Sequence, residues 1–246
     1  MSFELGSELW WLLFLAVFIG NFVEAVAGFG SVLIALVIAL LVTSDINLAL
    51  AWLVPLNMGL SILILLQNYK DVALRYLFIQ LIPLLFLGFL GGSYLSSALP
   101  SAILKKIFGL LIIALSLRSL MQSIENNSLT KSIRYFWLIL GGIVHGLFST
   151  GGPMVVFVVS QTNFNKKQFR ATLAALWVIL NSLMVFRLTY FNDLNMSTLK
   201  TSLSLLPALL CSVLAGSYLF HKISEKSFRR VIYLLLLFAG IMFLIR

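Results

Sequence analysis

Two side chains able to carry a proton sit at matching places in two glycine-rich apolar runs. Glu24 lies in Gly20–Val32, GNFVEAVAGFGSV, and His145 lies in Gly141–Pro153, GGIVHGLFSTGGP, 121 residues further on. An ionisable group inside a membrane-spanning stretch is expensive and marks a functional position, with proton relay among the usual roles. Imidazole titrates near neutral pH. Each also has a bland reading, a neutral side chain bonded to a neighbouring helix, and the sequence leaves both open. About one turn after each comes a break: Gly28, Phe29, Gly30 and Ser31 in the first run, and Ser149, Thr150, Gly151 and Gly152 before Pro153 in the second. Glycine supplies backbone angles other residues avoid, serine and threonine cap helices, and proline suits a first helical turn. A helix starting at such a break presents free N–H groups and the positive end of its dipole, which favour an anion. The chemistry offered is an anion site made mostly of backbone, or else close helix packing through small residues.

The solvent dictates what must hold these runs. Of 246 residues 61% are hydrophobic and 10% charged, with a mean hydropathy of +1.07, which excludes an ordinary soluble domain. The net charge of +9 lies in short loops between apolar runs, so it signals topology and not a nucleic-acid partner. The N-terminal MSFELGSELW is acidic before its apolar run, unlike a cleavable signal peptide. The lone Cys211 excludes an intramolecular disulfide and is read as a packing residue. No cofactor and no metal site are read from the sequence.

Apolar runs against polar breaks give eight segments, roughly Leu9–Thr43, Ile46–Gln67, Leu74–Leu95, Ala102–Met121, Tyr135–Gln161, Ala171–Phe191, Leu199–Phe220 and Phe228–Ile245. The first and fifth carry the glycine breaks. The chain is read as one membrane domain, 1–246, holding a repeat over about 9–121 and a second over about 134–246. Leu81-Ile-Pro83 returns as Leu205-Leu-Pro207, Gly92-Ser-Tyr-Leu95 as Gly216-Ser-Tyr-Leu219, Lys105-Lys106 as Arg229-Arg230 and Asn57 as Asn181, all 124 residues apart. Pro83 and Pro207 are expected to kink their helices. Asn57 and Asn181 fall in mid-segment, where a buried amide needs a partner, either the substrate or the broken hairpin backbone.

Charge sets the orientation. If segments one and five each enter and leave on one face, loops 68–75, 118–134, 166–170 and 221–230 share a face with 12 of the 17 Lys and Arg. The other face keeps five, with Glu4, Glu8, Asp45 and Asp193; Lys105 and Lys106 are the exceptions, and Arg187 snorkels toward that face. Segment five, about 27 residues, is too short for two full spans of about 20, so it is expected as a hairpin of two half-helices. Segment one allows that or two short tilted spans. The expected fold class is an all-α polytopic membrane protein of two inverted repeats, each a re-entrant or broken helix hairpin plus three transmembrane helices. Broken segments in corresponding positions of two halves point to a transporter's binding site. Irregular backbone at that depth must line a cavity or be buried in protein. Arg170, at the start of segment six, reads as a positive-inside charge or as an attractor of anions at an inner gate.

GLFSTGGPMVVFVV, followed by NKKQFRATLAALWVILN, resembles the second-half signature of the sulfite-exporter TauE/SafE family, and AVAGFGSVLIALVIALL looks like its first-half counterpart. Ser149 stands where that family often has glycine. The resemblance covers nearly the whole chain. It implies an integral transporter of the cytoplasmic membrane for sulfur-containing anions such as sulfite, thiosulfate or organosulfonates, driven by a gradient since no ATP-binding segment is seen. The expected partners are that anion, membrane lipid and, as an open alternative, a second copy of the chain. The substrate-binding set is Gly28, Phe29, Gly30, Ser31, Asn57, Ser149, Thr150, Gly151, Gly152 and Asn181, with Glu24, His145 and Arg170 for proton coupling or gating. Two rivals are kept: a passive anion channel, and an intramembrane enzyme with His145 as base and Ser149, four residues on, as nucleophile.

Overall fold

The structure, a computed structural model, describes residues 6–43, 45–96, 130–224, 227 and 234. Its helices are α1 (Glu8–Ala27), α2 (Ser31–Val42), α3 (Ile46–Asn68), α4 (Leu74–Leu95), α5 (Lys131–Phe148), α6 (Gly152–Val159), α7 (Lys166–Tyr190), α8 (Met196–Ser204) and α9 (Leu206–Lys222). No strand occurs among the described residues. α1, α3, α4 and α7 are each long and apolar enough to cross a bilayer, and the pair α8–α9, bent by 44°, makes a fifth candidate span. The all-α membrane class expected from the apolar runs is what the chain adopts. Segments 102–121 and 228–245, with the Lys105-Lys106 and Arg229-Arg230 match, lie outside the described residues, as do the acidic Glu4 and most of loop 118–134.

Two compact units divide the chain: unit one is Met1–Val72 with Leu173–Lys222, and unit two is Ala73–Thr172 with Ile223–Arg246. Neither coincides with a sequence half. In unit one, α1 packs against α2, α3 and α9. Gly20 allows the first contact, since a Cβ there would lie 2.5 Å from the Ser31 carbonyl oxygen, and Gly216 allows the last, with a Cβ 2.5 Å from that of Ala25. In unit two α4 packs along α5 through two facing small-residue pairs. Cβ atoms at Gly88, Gly92, Gly142 and Gly146 would each meet a carbonyl oxygen of the other helix at 2.0–2.5 Å. Such close backbone approach is how helices hold together where lipid removes the hydrophobic drive. The repeat-matched Gly92 and Gly216 both do this work, each against the first arm of a hairpin.

The hairpins themselves have unequal arms, unlike the two half-helices expected. α1 runs 20 residues and α5 18, while α2 has 12 and α6 only 8. At 1.5 Å per residue, α2 and α6 reach only about 18 and 12 Å, short of the roughly 30 Å hydrocarbon core. The glycines decide where the chain turns, but the polar start KSIR of α5 lengthens its arm upstream. Segment six also begins earlier than its apolar run suggests. Asn165 Oδ1 accepts from the Gln168 N–H at 2.9 Å, a capping bond that makes 166–170 the polar first turns of α7 and not a loop.

Proline acts differently in the two halves. Pro207 follows a true break at Leu205, whereas Pro83 sits just after a π turn over Leu77–Leu81 and α4 continues as one helix. Pro55, inside α3, removes the donor that the Ala51 carbonyl needs. Ser202 of α8, itself buried, supplies the replacement: its hydroxyl lies 3.3 Å from the Ala51 oxygen and 2.9 Å from that of Trp52. Cys211 is exposed on α9 and not packed, because α9 turns Ser212, Val213 and Gly216 inward instead. At one end of unit one, partial burial raises the Asp193 pKa above the ordinary carboxylate range, and the nearby Asp45 charge adds to it against the pull of Arg187. The loops that carry Asp45 and Asp193 therefore share one end of unit one.

Candidate functional site

The first hairpin tip forms around Glu24. α1 ends at Gly28 in the left-handed region, φ 85°, with its N–H on the Glu24 carbonyl, and Gly30 follows at φ 105°. Two positive φ values reverse the chain within three residues, and only glycine takes both without strain. Phe29 between them is buried. Because Gly30 has no side chain, α2 begins without a cap from its own N-cap residue. Glu24 supplies it from across the turn. Its Oε2 accepts from the Ser31 N–H at 3.0 Å and from Asn57 Nδ2 at 2.8 Å, and its Oε1 from the Ser61 hydroxyl at 3.4 Å. A carboxylate in the positive field of a helix start, with donors on both oxygens, is among the few buried arrangements that keep a charge acceptable.

Around that carboxylate the neighbours are also fixed. Asn57 Oδ1 accepts from Asn181 Nδ2 at 2.5 Å, so the two repeat-matched amides meet each other. The next matched pair, Met58 and Ser182, also touch, with the hydroxyl 4.0 Å from sulfur. Asn57 therefore serves Glu24 and Asn181 in this conformation. The indole N–H of Trp177 donates to the Gly28 carbonyl at 2.7 Å and ties down the last turn of α1. Ser31 Oγ donates to Asn21 Oδ1, while Asn21 Nδ2, buried, has no hydrogen-bond partner among the described residues. Sequence reasoning missed Asn21, Ser61 and Trp177. Asn21 and Ser61 carried a signal, polar residues within apolar runs at helical spacing from Glu24 and Asn57; Trp177 carried none.

The second tip is built in unit two. α5 ends with Ser149 in the left-handed region, φ 54°, its N–H on the His145 carbonyl at 2.8 Å. Serine thus stands where the first tip uses glycine. α6 starts at Gly152, with Gly151 as N-cap and Pro153 in the first turn. Gly151 is there for space: a Cβ would lie 2.2 Å from the Gly141 carbonyl oxygen. His145, Ser149 and Thr150 are buried, and the Thr150 hydroxyl has no hydrogen-bond partner among the described residues. The His145 ring lies 6.3 Å from that of Phe89. Ser149 is the C-cap of α5, one residue past the helix that carries His145. Arg170 lies inside α7 and is buried, not solvated in a loop as a topological charge would be. Among its described residues unit two has no acidic side chain and six basic ones, Arg75, Lys131, Arg134, Lys166, Lys167 and Arg170.

No curated protein and no solved structure matches the chain. The family profile described as Sulfite exporter TauE/SafE, however, matches residues 12–243, which takes in both hairpins and every element that carries them. With its apolar spanning helices and two broken ones, the chain belongs to the TauE/SafE sulfite-exporter family of membrane transporters.

Proposed function

We propose that the protein is a secondary transporter moving a small sulfur-containing anion, such as sulfite, thiosulfate or an organosulfonate, across the cytoplasmic membrane. The supporting observation is the second tip. A helix starts there from a glycine pair inside an apolar hairpin, beside the buried Thr150 hydroxyl, in a unit whose described residues carry no acid. Backbone N–H groups and one hydroxyl, in a unit whose described Lys and Arg face no described acid, suit an oxyanion, whose charge is spread over several acceptor oxygens. The family match supports a sulfur-containing anion, and the helix start beside Thr150 supports an anion at this tip.

The test is a binding screen of purified protein against sulfite, thiosulfate, sulfoacetate and taurine, with carboxylates as controls. Saturable binding of a sulfur oxyanion is expected; binding only of carboxylates, or of none of these, overturns the reading. Accumulation of the bound anion against its gradient in proteoliposomes separates a coupled transporter from a passive channel. The enzyme reading requires product formation that disappears in His145→Ala.

A further inference from the structure

We infer that Glu24 is a tethered anion occupying the start of α2, which the transported anion displaces, so that loading the first tip requires a proton on Glu24. This rests on the transporter reading above. The donors around the carboxylate are those an oxyanion would recruit: the Ser31 N–H at 3.0 Å, the Asn57 amide at 2.8 Å and the Ser61 hydroxyl at 3.4 Å. A further donor goes unused. The Asn21 Oδ1 accepts from the Ser31 hydroxyl, and its Nδ2 finds no acceptor among the described residues although the residue is 1% exposed. The Glu24 carboxylate accepts three hydrogen bonds, and none of them comes from Asn21. That buried donor, carried beside Ser31, is left for an anion that replaces the carboxylate.

Charge decides what accompanies the exchange. The groups facing Glu24 from α2 and α3 are Ser31, Asn57 and Ser61, and neither helix contains an ionisable side chain. On α9 the ionisable residues are Cys211, Tyr218, His221 and Lys222, all exposed. α7 adds Trp177 and Asn181; its charged residues are Lys166, Lys167 and the buried Arg170, seven residues before Trp177, and Arg187, six beyond Asn181, and none of them hydrogen-bonds Glu24. Among the described residues, the hydrogen bonds to the carboxylate come from neutral donors alone. A carboxylate stripped of them inside hydrocarbon is expensive, and two anions at one helix start repel. A proton taken from water onto the Glu24 carboxyl removes both costs. Proton and anion enter together, and returning the carboxylate to Ser31 expels the anion as the proton leaves.

The experiment measures thiosulfate binding to the full-length purified protein as pH falls from mildly alkaline to mildly acidic, a range in which thiosulfate keeps its charge. Wild-type affinity should rise by up to about tenfold per pH unit, with uptake of about one proton per anion, the limit for one linked group. Glu24→Gln should bind with little pH dependence, near the wild-type low-pH affinity. Ser61→Ala, which takes one donor from the carboxylate, should move the rise to higher pH. A wild-type slope retained in Glu24→Gln overturns the inference, as does binding without proton uptake. Should Glu24→Gln fail to fold, the wild-type proton count and the Ser61→Ala shift decide, and an unmoved profile in Ser61→Ala rejects it. If no sulfur oxyanion binds at any pH, the transporter reading fails and takes this inference with it. Binding with flat pH dependence in every form sinks the inference alone.

Discussion

The two hairpin tips are built from the same plan and finished differently. Each has a long arm, a three-residue reversal and a short arm starting from glycine. At the first tip the reversal rests on backbone angles, with positive φ at Gly28 and Gly30, and the short arm is capped by a carboxylate from the long one. At the second, the left-handed place is taken by Ser149 and Gly151 is needed for room. No acidic residue exists anywhere in that hairpin. In this conformation the first tip carries its own anion and the second has none among its residues. Two hairpins of one plan thus differ by one exchange of an ionisable side chain, Glu24 against His145.

The largest test of that contrast pairs Glu24→Ala with Thr150→Val. Truncating Glu24 strands the Ser31 N–H and the Asn57 amide in a dry interior, at about 1–3 kcal/mol for each unsatisfied donor. Thermal unfolding in detergent should show a severe loss. Thr150→Val replaces a hydroxyl without partner among the described residues by a methyl of similar shape, so stability should hold or rise while anion affinity falls by roughly tenfold, the equivalent of about 1.4 kcal/mol. A stable Glu24→Ala, or a Thr150→Val that keeps full affinity, would break the division of roles.

Next in size are the glycines, which test whether space or dihedral angle limits each tip. Gly151→Ala drives a Cβ to 2.2 Å from the Gly141 carbonyl oxygen and 2.9 Å from the His145 Cβ. Neither neighbour is the flexible end of a side chain, so the loss should be about 3 kcal/mol. At Gly30 the nearest atom to a new Cβ is a Val23 methyl at 3.6 Å, and only the φ of 105° objects. Gly30→Ala should cost about 1–2 kcal/mol. Comparable melting temperatures for the two variants would show that both tips are limited in the same way.

Much of this frame is legible in the residues alone. Leu74–Leu95 is both an apolar run and a helix end to end, and the breaks fall where glycines cluster. Repeat spacing singled out Asn57 and Asn181, which bond each other. What stays hidden depends on contacts between distant segments. That Glu24 caps α2 follows from α1 and α2 lying side by side, which Gly20 permits but no local pattern announces. The rescue of the Ala51 carbonyl by Ser202 joins residues 151 apart in sequence, and a proline in a helix says only that some rescue is needed. Polar first turns mislead in the other direction: NKKQFR reads as loop by composition although Asn165 starts a helix there. The same confusion disguised Arg170, whose charge suits a membrane face but whose side chain is buried.

The smallest expected effect isolates how firmly the first tip is held. Trp177 donates its indole N–H to the Gly28 carbonyl at 2.7 Å, both groups lying in unit one. That carbonyl belongs to the buried helix end, where the α-helix leaves acceptors unsatisfied. The bond also fixes the orientation of the peptide between the two left-handed glycines. Trp177→Phe keeps an aromatic ring and most of its contact but removes the donor. The net loss for one hydrogen bond is about 1 kcal/mol, which for a protein of this size lowers the melting temperature by roughly 2–4 °C. The ring it removes is larger than the one it leaves, so Trp177→Leu serves as the control for lost volume and should fall further. If the bond matters to the tip and not only to the packing, Trp177→Phe should also weaken the coupling of thiosulfate affinity to pH, because the α2 start that Glu24 occupies would no longer be held in one place. An unchanged pH profile with the expected small loss of stability would reduce Trp177 to a helix cap. Unchanged stability as well would mean that the first tip is closed by Glu24 and its donors without help from α7.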